Sequence, residues 1–174
     1  IVLPDSFEIL KKTISNEFQM KKNQLVIITG GLGATEDDYT LGVISSILNQ
    51  KTARFEPAFQ RLQSLYEKRG KDYLSLIPNV ERQTRYPEDA IPLENNVGIA
   101  VGFIVKFGEN SYLAAMPGVP LEMKSMFQNK FIPALEKIYP KKKLHQEWRW
   151  IWGIGESYFQ NKFIEVNRNL FEDG

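Results

Sequence analysis

The chain has 174 residues, of which 43% are hydrophobic and 25% charged, enough for one well-buried core and at most the beginning of a second unit. Its 22 basic and 21 acidic residues give a formal net charge of +1, so no overall field favours nucleic acid or an anionic membrane surface. Cysteine is missing from the sequence and His145 is its single histidine, which disfavours thiolate sites, a Ser-His-Asp triad and multi-histidine metal sites. We therefore expect a soluble, cytoplasmic protein without nucleic acid or membrane partners, in which any metal has oxygen ligands.

The N-terminal part of the chain predicts helices and a strand in alternation. Apolar residues at helical spacing after Ser6 predict a helix to about Met20. The continuous apolar run at 25–28 is typical of a strand buried on both faces of a parallel sheet. Thr35, followed three residues later by Asp38, resembles a capping box, so the next helix is expected to begin there. This alternation indicates right-handed βαβ crossovers.

The middle of the chain predicts one more helix and a hairpin. The helix has Pro57 in its first turn and Gly70 past its end. Residues 71–96, with three prolines, are expected to form a surface excursion that returns to the sheet. Strand-like runs at 101–107 and 111–116 flank a Gly-Glu-Asn turn. The predicted fold class is α/β, with three layers and a mostly parallel sheet that has a β-hairpin at its edge.

The C-terminal part predicts a domain boundary. A helix after Pro120 closes a first domain of residues 1–140, where a proline and a lysine run follow. Residues 141–174 then begin a small, incomplete α+β unit, with a strand at His145–Trp152 and a helix at Gly155–Asn169. One strand and one helix cannot form a core, so this unit must pack against something else.

Three tryptophans alternate along that predicted strand. Trp148, Trp150 and Trp152 would place their indoles on one face. Core packing is one interpretation of this face, and a subunit or interdomain contact is the other, since tryptophan is enriched at interfaces. Because the unit is incomplete, we favour the contact and expect a homodimer.

Two segments have the design of an anion site. At 27–40 and at 116–124, an apolar strand leads into a glycine-containing turn and then into a predicted helix start that carries carboxylates. Backbone N–H groups at such turns can hold a phosphate, although a tight turn without a ligand has the same pattern. The candidate phosphate-binding glycines are Gly30, Gly31, Gly33 and Gly118.

Carboxylates beside an anion site would repel a phosphate unless a cation lies between them. Asp37, Asp38 and Glu122 are therefore candidate catalytic and metal-binding residues. The alternative is that they only cap helices or stabilise helix dipoles. Lys124 could contact a phosphate, although a solvated lysine on a helix surface is the commoner case.

The residue sequences of these segments resemble those of a known family. IITGGLGATEDDYT at 27–40 and MPGVPLEMK at 116–124 are similar to the patterns GGLGPTxDDLT and LPGVPxEM of the N-terminal, molybdopterin-binding-like domain of the CinA family. RQTRYPEDA at 82–90, NNVGIAVGF at 95–103 and GIGES at 153–157 resemble further stretches of that domain in the same order.

This resemblance implies a molybdopterin-binding-protein-like fold and hydrolysis of ADP-ribose to AMP and ribose 5-phosphate, with a divalent ion such as Mg, Mn or Co. It aligns Asp5 with an acidic position of the family, which gives Asp5, Asp38 and Glu122 as metal ligands. It also adds Thr35, Asn95 and Gly98 to the residues expected to bind the substrate. Nothing in the sequence resembles the nicotinamide-nucleotide amidase domain that often follows in this family, so we do not expect that activity from this chain.

The chain also departs from the family pattern. Ala34 and Tyr39 replace the usual Pro and Leu, and Asn96, Ile99 and Val101 replace Pro, Thr and Pro. The family's first strand and helix have no counterpart before residue 1, so the chain is expected to be a fragment. Because of these departures, two alternative functions remain: a module that binds a nucleotide or pterin without catalysis, and a purely structural assembly domain.

Overall fold

The computed structural model describes residues 1–20, 24–140, 148, 150 and 152–167. Two compact units divide the chain at Ile1–Pro140 and Lys141–Gly174. In the described part of the chain, no helix has the length and apolar character needed to cross a membrane.

The first unit contains seven α-helices and six strands among its described residues. The helices are α1 (Phe7–Met20), α2 (Thr40–Leu48), α3 (Glu56–Glu67), α4 (Lys71–Leu74), α5 (Ile77–Val80), α6 (Pro120–Met126) and α7 (Ile132–Ile138), with a 3₁₀ turn at Glu81–Thr84 and a π-helical turn at Phe127–Phe131. The strands are β1 (Leu25–Thr29), β2 (Thr52–Arg54), β3 (Arg85–Pro87), β4 (Ile91–Leu93), β5 (Gly102–Lys106) and β6 (Tyr112–Met116).

A four-stranded mixed sheet in the order β1-β6-β5-β4 forms the centre of this unit. β1 pairs with β6 in parallel, Leu25 opposite Tyr112 and Thr29 opposite Met116. β6 pairs with β5, and β5 with β4, in antiparallel fashion. β2 and β3 form a separate two-stranded antiparallel sheet.

Each face of the sheet has its own buried core. Alternate residues of β5 point to opposite faces, as the period of a strand requires. Phe103 packs with Ile14 of α1 and Ile44 of α2, whereas Ile104 packs with Met126 of α6 and with Phe131. All six side chains are at most 4% exposed, so the sheet lies between two helical layers.

The expected three-layer α/β class with a mixed sheet is therefore confirmed. One detail differs: the β5–β6 hairpin lies inside the described sheet, because β4 pairs with the outer side of β5. The four-stranded sheet has one parallel and two antiparallel pairs among the described residues, so its parallel share is smaller than the sequence predicts. The excursion after residue 70 contains the strands β3 and β4, and their three residues each are too short for a periodic signal.

The predicted start of the second helix at Thr35 is wrong. α2 begins at Thr40, with Tyr39 as its N-cap residue, and its first turn contains no acidic residue. Thr35 and Asp38 do hydrogen-bond to each other, but in a separate turn that precedes the helix. The capping-box pattern identified a real side-chain contact at the wrong element.

The remaining helices agree with the sequence pattern in their main bounds. α1 and α3 have the expected ends, and α6, the π-helical turn and α7 form one continuous helical stretch from Pro120 to Ile138. Pro133 lacks an N–H group for a regular helical bond, which accounts for a π-helical turn directly before it.

The second unit contains α8 (Glu156–Asn167), where a helix at 155–169 was predicted. The predicted strand at 145–152, with His145, lies largely outside the described residues. Trp148, Trp150 and Trp152 are described and are 85%, 88% and 85% exposed.

Candidate functional site

The two glycine turns lie side by side at the carboxyl ends of the parallel strands β1 and β6. The Gly30 N–H donates to the carbonyl of Met116 at 2.9 Å. A Cβ atom on Gly118 would lie 3.3 Å from the Cα of Gly30, so the two backbones approach closely. Ligands of open α/β sheets bind at such strand ends. The structure therefore brings together two of the predicted phosphate-binding segments.

The first turn is open on one side and closed on the other. Gly30 and Gly31 have φ values of +100° and +67°, which disfavour any residue with a side chain. No described atom lies within 4 Å of where a Cβ of Gly30 would stand, whereas one on Gly31 would lie 2.3 Å from Oγ1 of Thr40. The Gly30 side is therefore accessible to a ligand, and the Gly31 side packs against the start of α2.

Thr40 fixes this turn to α2. Its hydroxyl donates to the carbonyl of Gly30 at 2.8 Å, and its N–H donates to the carbonyl of Gly31 at 3.1 Å. Thr40 is 3% exposed, so both bonds are shielded from water. Thr40 is the last residue of the segment 27–40, and no local sequence pattern marks it as a site residue.

The acidic turn at 35–38 is closed by its own end residues. Asp38 Oδ2 accepts hydrogen bonds from the N–H of Thr35 at 2.9 Å and from its hydroxyl at 2.6 Å. The Asp38 N–H donates back to the Thr35 carbonyl at 3.1 Å. A Cβ on Gly33 would lie 2.5 Å from Asp38 Oδ2, so this glycine is required for space. Thr35 and Gly33 thus contact Asp38.

Asp38 carries a negative charge over the ordinary pH range. Partial burial acts to raise the pKa of its carboxyl, but the bonds from Thr35 and from the Gly33 backbone, together with the nearby Arg82 charge, outweigh burial and lower it. A carboxylate of lowered pKa is a good anionic ligand and a weak base. Asp37, the preceding residue, has an exposed side chain.

A second acidic position lies at the start of α6. Glu122 is half-buried, and its Oε2 accepts a hydrogen bond from the Asn95 amide at 2.7 Å. The same amide donates to the carbonyl of Ala100 at 3.1 Å. A Cβ on Gly98 would lie 2.4 Å from Oε2 of Glu122, so the glycine loop passes directly over the carboxylate.

The Asn95 side chain is engaged entirely within the protein. It is 2% exposed, and its Oδ1 accepts from the N–H groups of Val97 at 3.0 Å and Gly98 at 2.8 Å. With two donated and two accepted bonds its capacity is filled. Asn95 thus supports Glu122 directly, and its contact with a substrate stays a prediction.

Two arginines that sequence reasoning missed as site residues hold these loops. Arg82 donates to the carbonyls of Thr35, at 2.9 Å, and of Asp38. Arg61 donates to the carbonyls of Asn95 and of Gly98, the latter at 3.1 Å. Neither contact has a sequence signal, because the partners are main-chain atoms.

The other predicted site residues are more distant or more exposed. Lys124 is exposed on α6. Asp5 is exposed and lines a groove of about 700 Å³ beside β1, whose lining also includes Gly30, Gly31 and Thr40. Asp5 thus shares a groove with the glycine turn.

A comparison with known proteins identifies the family. The model described as "Probable molybdopterin binding domain" matches residues 1–137, and a CinA-like protein of Leptospira biflexa is 49% identical over 173 residues. The chain belongs to the CinA family. That alignment covers 98% of this chain and 42% of the relative, so the chain spans about two fifths of the curated relatives' length.

Further CinA relatives agree with this assignment. A CinA-like protein of Leptospira interrogans is 42% identical over 98% of this chain and 41% of its own length. A putative competence-damage inducible protein of Clostridium novyi is 35% identical over 90% of this chain and 36% of its own length. The crystal structure of CinA from Thermoplasma acidophilum, titled as of unknown function, matches with a TM-score of 0.59 and 28% identity, covering 76% of this chain and 71% of that one.

The predicted metal ligands of this CinA-family chain do not form a preassembled centre. Among the described residues, no group of three acidic or histidine side chains is arranged to hold a metal ion. Asp5, Asp38 and Glu122 are therefore not gathered into one protein-only ligand set. Their oxygen chemistry fits a hard ion such as Mg²⁺, which commonly takes one or two carboxylates and completes its shell with substrate phosphates and water.

Proposed function

We propose that this chain hydrolyses the pyrophosphate bond of a nucleoside diphosphate sugar, specifically ADP-ribose, to give AMP and ribose 5-phosphate. The observation that carries the proposal is the close approach of the Gly30 and Gly118 turns at the ends of β1 and β6. Asp38 and Glu122 follow these two turns in the chain. Each carboxylate has its own hydrogen-bonded support, from Thr35 and from Asn95. The resemblance to the CinA family supplies the substrate class.

The turns at Gly30 and Gly118 would receive the two phosphates. Their close approach leaves backbone on both sides of one crevice, and the open face of Gly30 admits an anion. Lys124, which is exposed, can contact a phosphate oxygen as a point charge.

The two carboxylates would have different tasks. Hydrolysis forms a bond between a water oxygen and one phosphorus, breaks the bond from that phosphorus to the bridging oxygen, and requires removal of a water proton. Because its pKa is lowered, Asp38 suits cation binding better than proton removal. Glu122 would accept the water proton on Oε1, since Asn95 already occupies Oε2.

A divalent ion would be held by Asp38, with Asp37 beside it, and by the substrate phosphates. When bound, such an ion offsets the phosphate charge and polarises the phosphoryl group. The residues that surround it position the phosphates and water.

The test is a direct assay of AMP release from ADP-ribose with Mg²⁺, Mn²⁺ or Co²⁺. We expect Asp38→Ala and Glu122→Gln each to lower kcat about 100-fold or more while the protein stays folded. Glu36→Gln removes an exposed acid from the same turn and should retain kcat within about twofold. Absence of AMP with every ion, in wild-type protein that unfolds cooperatively, would exclude the proposal.

A binding module without catalysis is the second candidate. It is favoured by the lack of a three-ligand metal group among the described residues. In that case ADP-ribose, AMP or a pterin should raise the melting temperature without metal, and the increase should survive Asp37→Asn. A shift that requires metal and is lost in Asp37→Asn would instead support hydrolysis.

A further inference from the structure

We propose that Arg61 and Arg82 are positioning residues that hold the two acid-bearing loops of the site in place through main-chain carbonyls. The inference rests on the proposed function, because it concerns the same site. It assigns a shared task to the helical segment between the two arginines.

Both arginines make the same contact with a four-residue turn. The Arg82 guanidinium donates to the carbonyls of Thr35 and Asp38, the first and last residues of the acidic turn. The Arg61 guanidinium donates to the carbonyls of Asn95 and Gly98, the first and last residues of the second turn. Arg82 uses one terminal nitrogen for each carbonyl, so its planar fork joins the two ends of the acidic turn. Arg61 donates to both carbonyls of its turn from Nη1, which leaves Nη2 for Glu94.

The Thr35 carbonyl already accepts a hydrogen bond from the Asp38 N–H inside its turn. The carbonyls of Asp38, Asn95 and Gly98 accept theirs from an arginine outside the turns. In the acidic turn, the Asp38 side chain takes up the Thr35 donors. In the second turn, Asn95 Oδ1 takes up the N–H groups of Val97 and Gly98. Partly buried carbonyls without a partner are costly, so the arginines complete both turns.

The terminal nitrogens of both guanidinium groups already have partners within the protein. Arg61 also pairs with Glu94 at 3.0 Å, and Glu94 in turn pairs with Lys130 at 3.0 Å. This network fixes Arg61 from its other side. Arg82 uses both terminal nitrogens on the acidic turn. Neither arginine is therefore presented primarily as a phosphate ligand.

One structural segment carries both contacts. Arg61 lies on α3 and Arg82 on the 3₁₀ turn, and the Phe55 N–H before α3 donates to the carbonyl of Thr84 at 2.8 Å. The position of the acidic turn is thereby linked to that of the Asn95 loop, which supports Glu122. Small displacements of positioned groups can lower a rate by about 100-fold.

The kinetic test compares Arg82→Gln and Arg61→Gln with Arg85→Gln. Arg85 is a matched control, since it is as exposed as Arg61 and also contacts a carbonyl, that of Thr52 at 3.3 Å, outside both turns. We expect kcat for ADP-ribose to fall about 10- to 100-fold in the first two variants, with KM changed less than about threefold, and Arg85→Gln to stay within about twofold. Arg82→Lys and Arg61→Lys should recover part of the loss, because an ammonium can reach one carbonyl.

Amide hydrogen exchange tests the contact without turnover, so it separates this inference from the proposed function. Arg82→Gln should accelerate exchange at Thr35 and Asp38, and Arg61→Gln at Val97 and Gly98, each by about tenfold or more. If Arg61→Gln does not fold, Arg61→Met serves in its place, because it keeps the packing of the aliphatic side chain and Glu94 keeps its pair with Lys130.

The two failures look different. Wild-type protein that lacks AMP release but shows the expected exchange changes would exclude hydrolysis and support the positioning contact. Unchanged exchange at all four amides, or folded glutamine variants that keep kcat within about twofold, would overturn the inference. An equal loss of kcat in Arg85→Gln would overturn it as well.

Discussion

Gly98 and Asn95 hold Glu122 from two sides. The asparagine amide binds one carboxylate oxygen at 2.7 Å, and Gly98 leaves the space that the carboxylate occupies. A side chain of any size at position 98 would compete for that space. The orientation of Glu122 thus depends both on the hydrogen bond from Asn95 and on the absence of a Cβ atom at Gly98.

We therefore predict that Gly98→Ala lowers ADP-ribose turnover about tenfold or more and changes the unfolding free energy by less than about 1 kcal/mol. The new Cβ would stand 2.4 Å from Glu122 Oε2, and the flexible carboxylate would move away from Asn95. Gly42→Ala in α2 is the control, since its Cβ would make an ordinary 3.8 Å contact with Phe7. It should leave turnover unchanged and stabilise the helix by about 0.5 kcal/mol. Full turnover in Gly98→Ala would show that Glu122 need not stay where Asn95 holds it.

The lowered pKa of Asp38 also leads to a prediction of how the stability of the fold depends on pH. Its pKa is lower in the folded than in the unfolded protein, because bonds from Thr35 and Gly33 and the Arg82 charge outweigh burial. The resulting stabilisation is present above the unfolded pKa and is lost as pH falls through the folded pKa. The unfolding free energies of wild type and Asp38→Asn, measured with urea, should therefore differ most near pH 6. They should converge as the pH falls below 3.8, the ordinary pKa of an aspartate carboxyl. Asp37→Asn controls for the change in net charge; a constant wild-type to Asp38→Asn difference across this range would contradict the prediction.

At the scale of elements, the start of α2 and the glycine turn form one unit. The Thr40 hydroxyl donates to the Gly30 carbonyl, and the Thr40 N–H at the start of the helix donates to the Gly31 carbonyl. A Cβ on Gly31 would collide with that hydroxyl, so the turn and the helix start are fitted to each other. The accessible side of Gly30 is held in place by this buried side.

Replacing Thr40 by valine should lower the unfolding free energy by roughly 1 kcal/mol, because the shape is kept while the bond to Gly30 is lost. Thr40→Ser retains the hydroxyl and should restore most of the affinity for AMP, which the valine variant is expected to lose in part. Denaturant titration and calorimetric binding measure the two effects. Equal stability of the valine and serine variants would indicate that the hydroxyl bond contributes nothing.

At the scale of the whole molecule, the two compact units differ in how they bury apolar surface. The first has a core on each face of its sheet. The second, within its described part, contains α8 and three tryptophans that are at least 85% exposed. Such indoles represent an apolar surface larger than isolated solvent-exposed side chains normally provide.

We propose that a second copy of the chain covers these indoles in a two-fold dimer. Wild-type protein should then sediment as a dimer at micromolar concentration, and Trp150→Glu as a folded monomer. Glu109→Lys is the control, because it changes an exposed residue in the β5–β6 turn. This variant should remain dimeric. A monomeric wild type with the C-terminal unit intact would refute the proposal.

The long elements and the family follow from local sequence patterns. α1, α3 and the β5–β6 hairpin were predicted because their apolar periodicity, proline and glycine signals act between neighbours in the chain. The glycine turn after β1 was predicted for the same reason, and the order of the motifs identified the CinA family before the fold was known. The roles of the predicted site residues stay predictions.

Only the tertiary structure decided how the site is supported. Arg61 and Arg82 contact carbonyls between 34 and 47 positions away, and Asn95 reaches Glu122 across 27 positions. Main-chain carbonyls are the same in every residue, so no sequence pattern marks them as partners. The start of α2 depended likewise on whether the Thr35–Asp38 bond closes a separate turn. Local patterns fix elements because neighbours interact in any fold, whereas these contacts exist only after the chain has brought distant segments together.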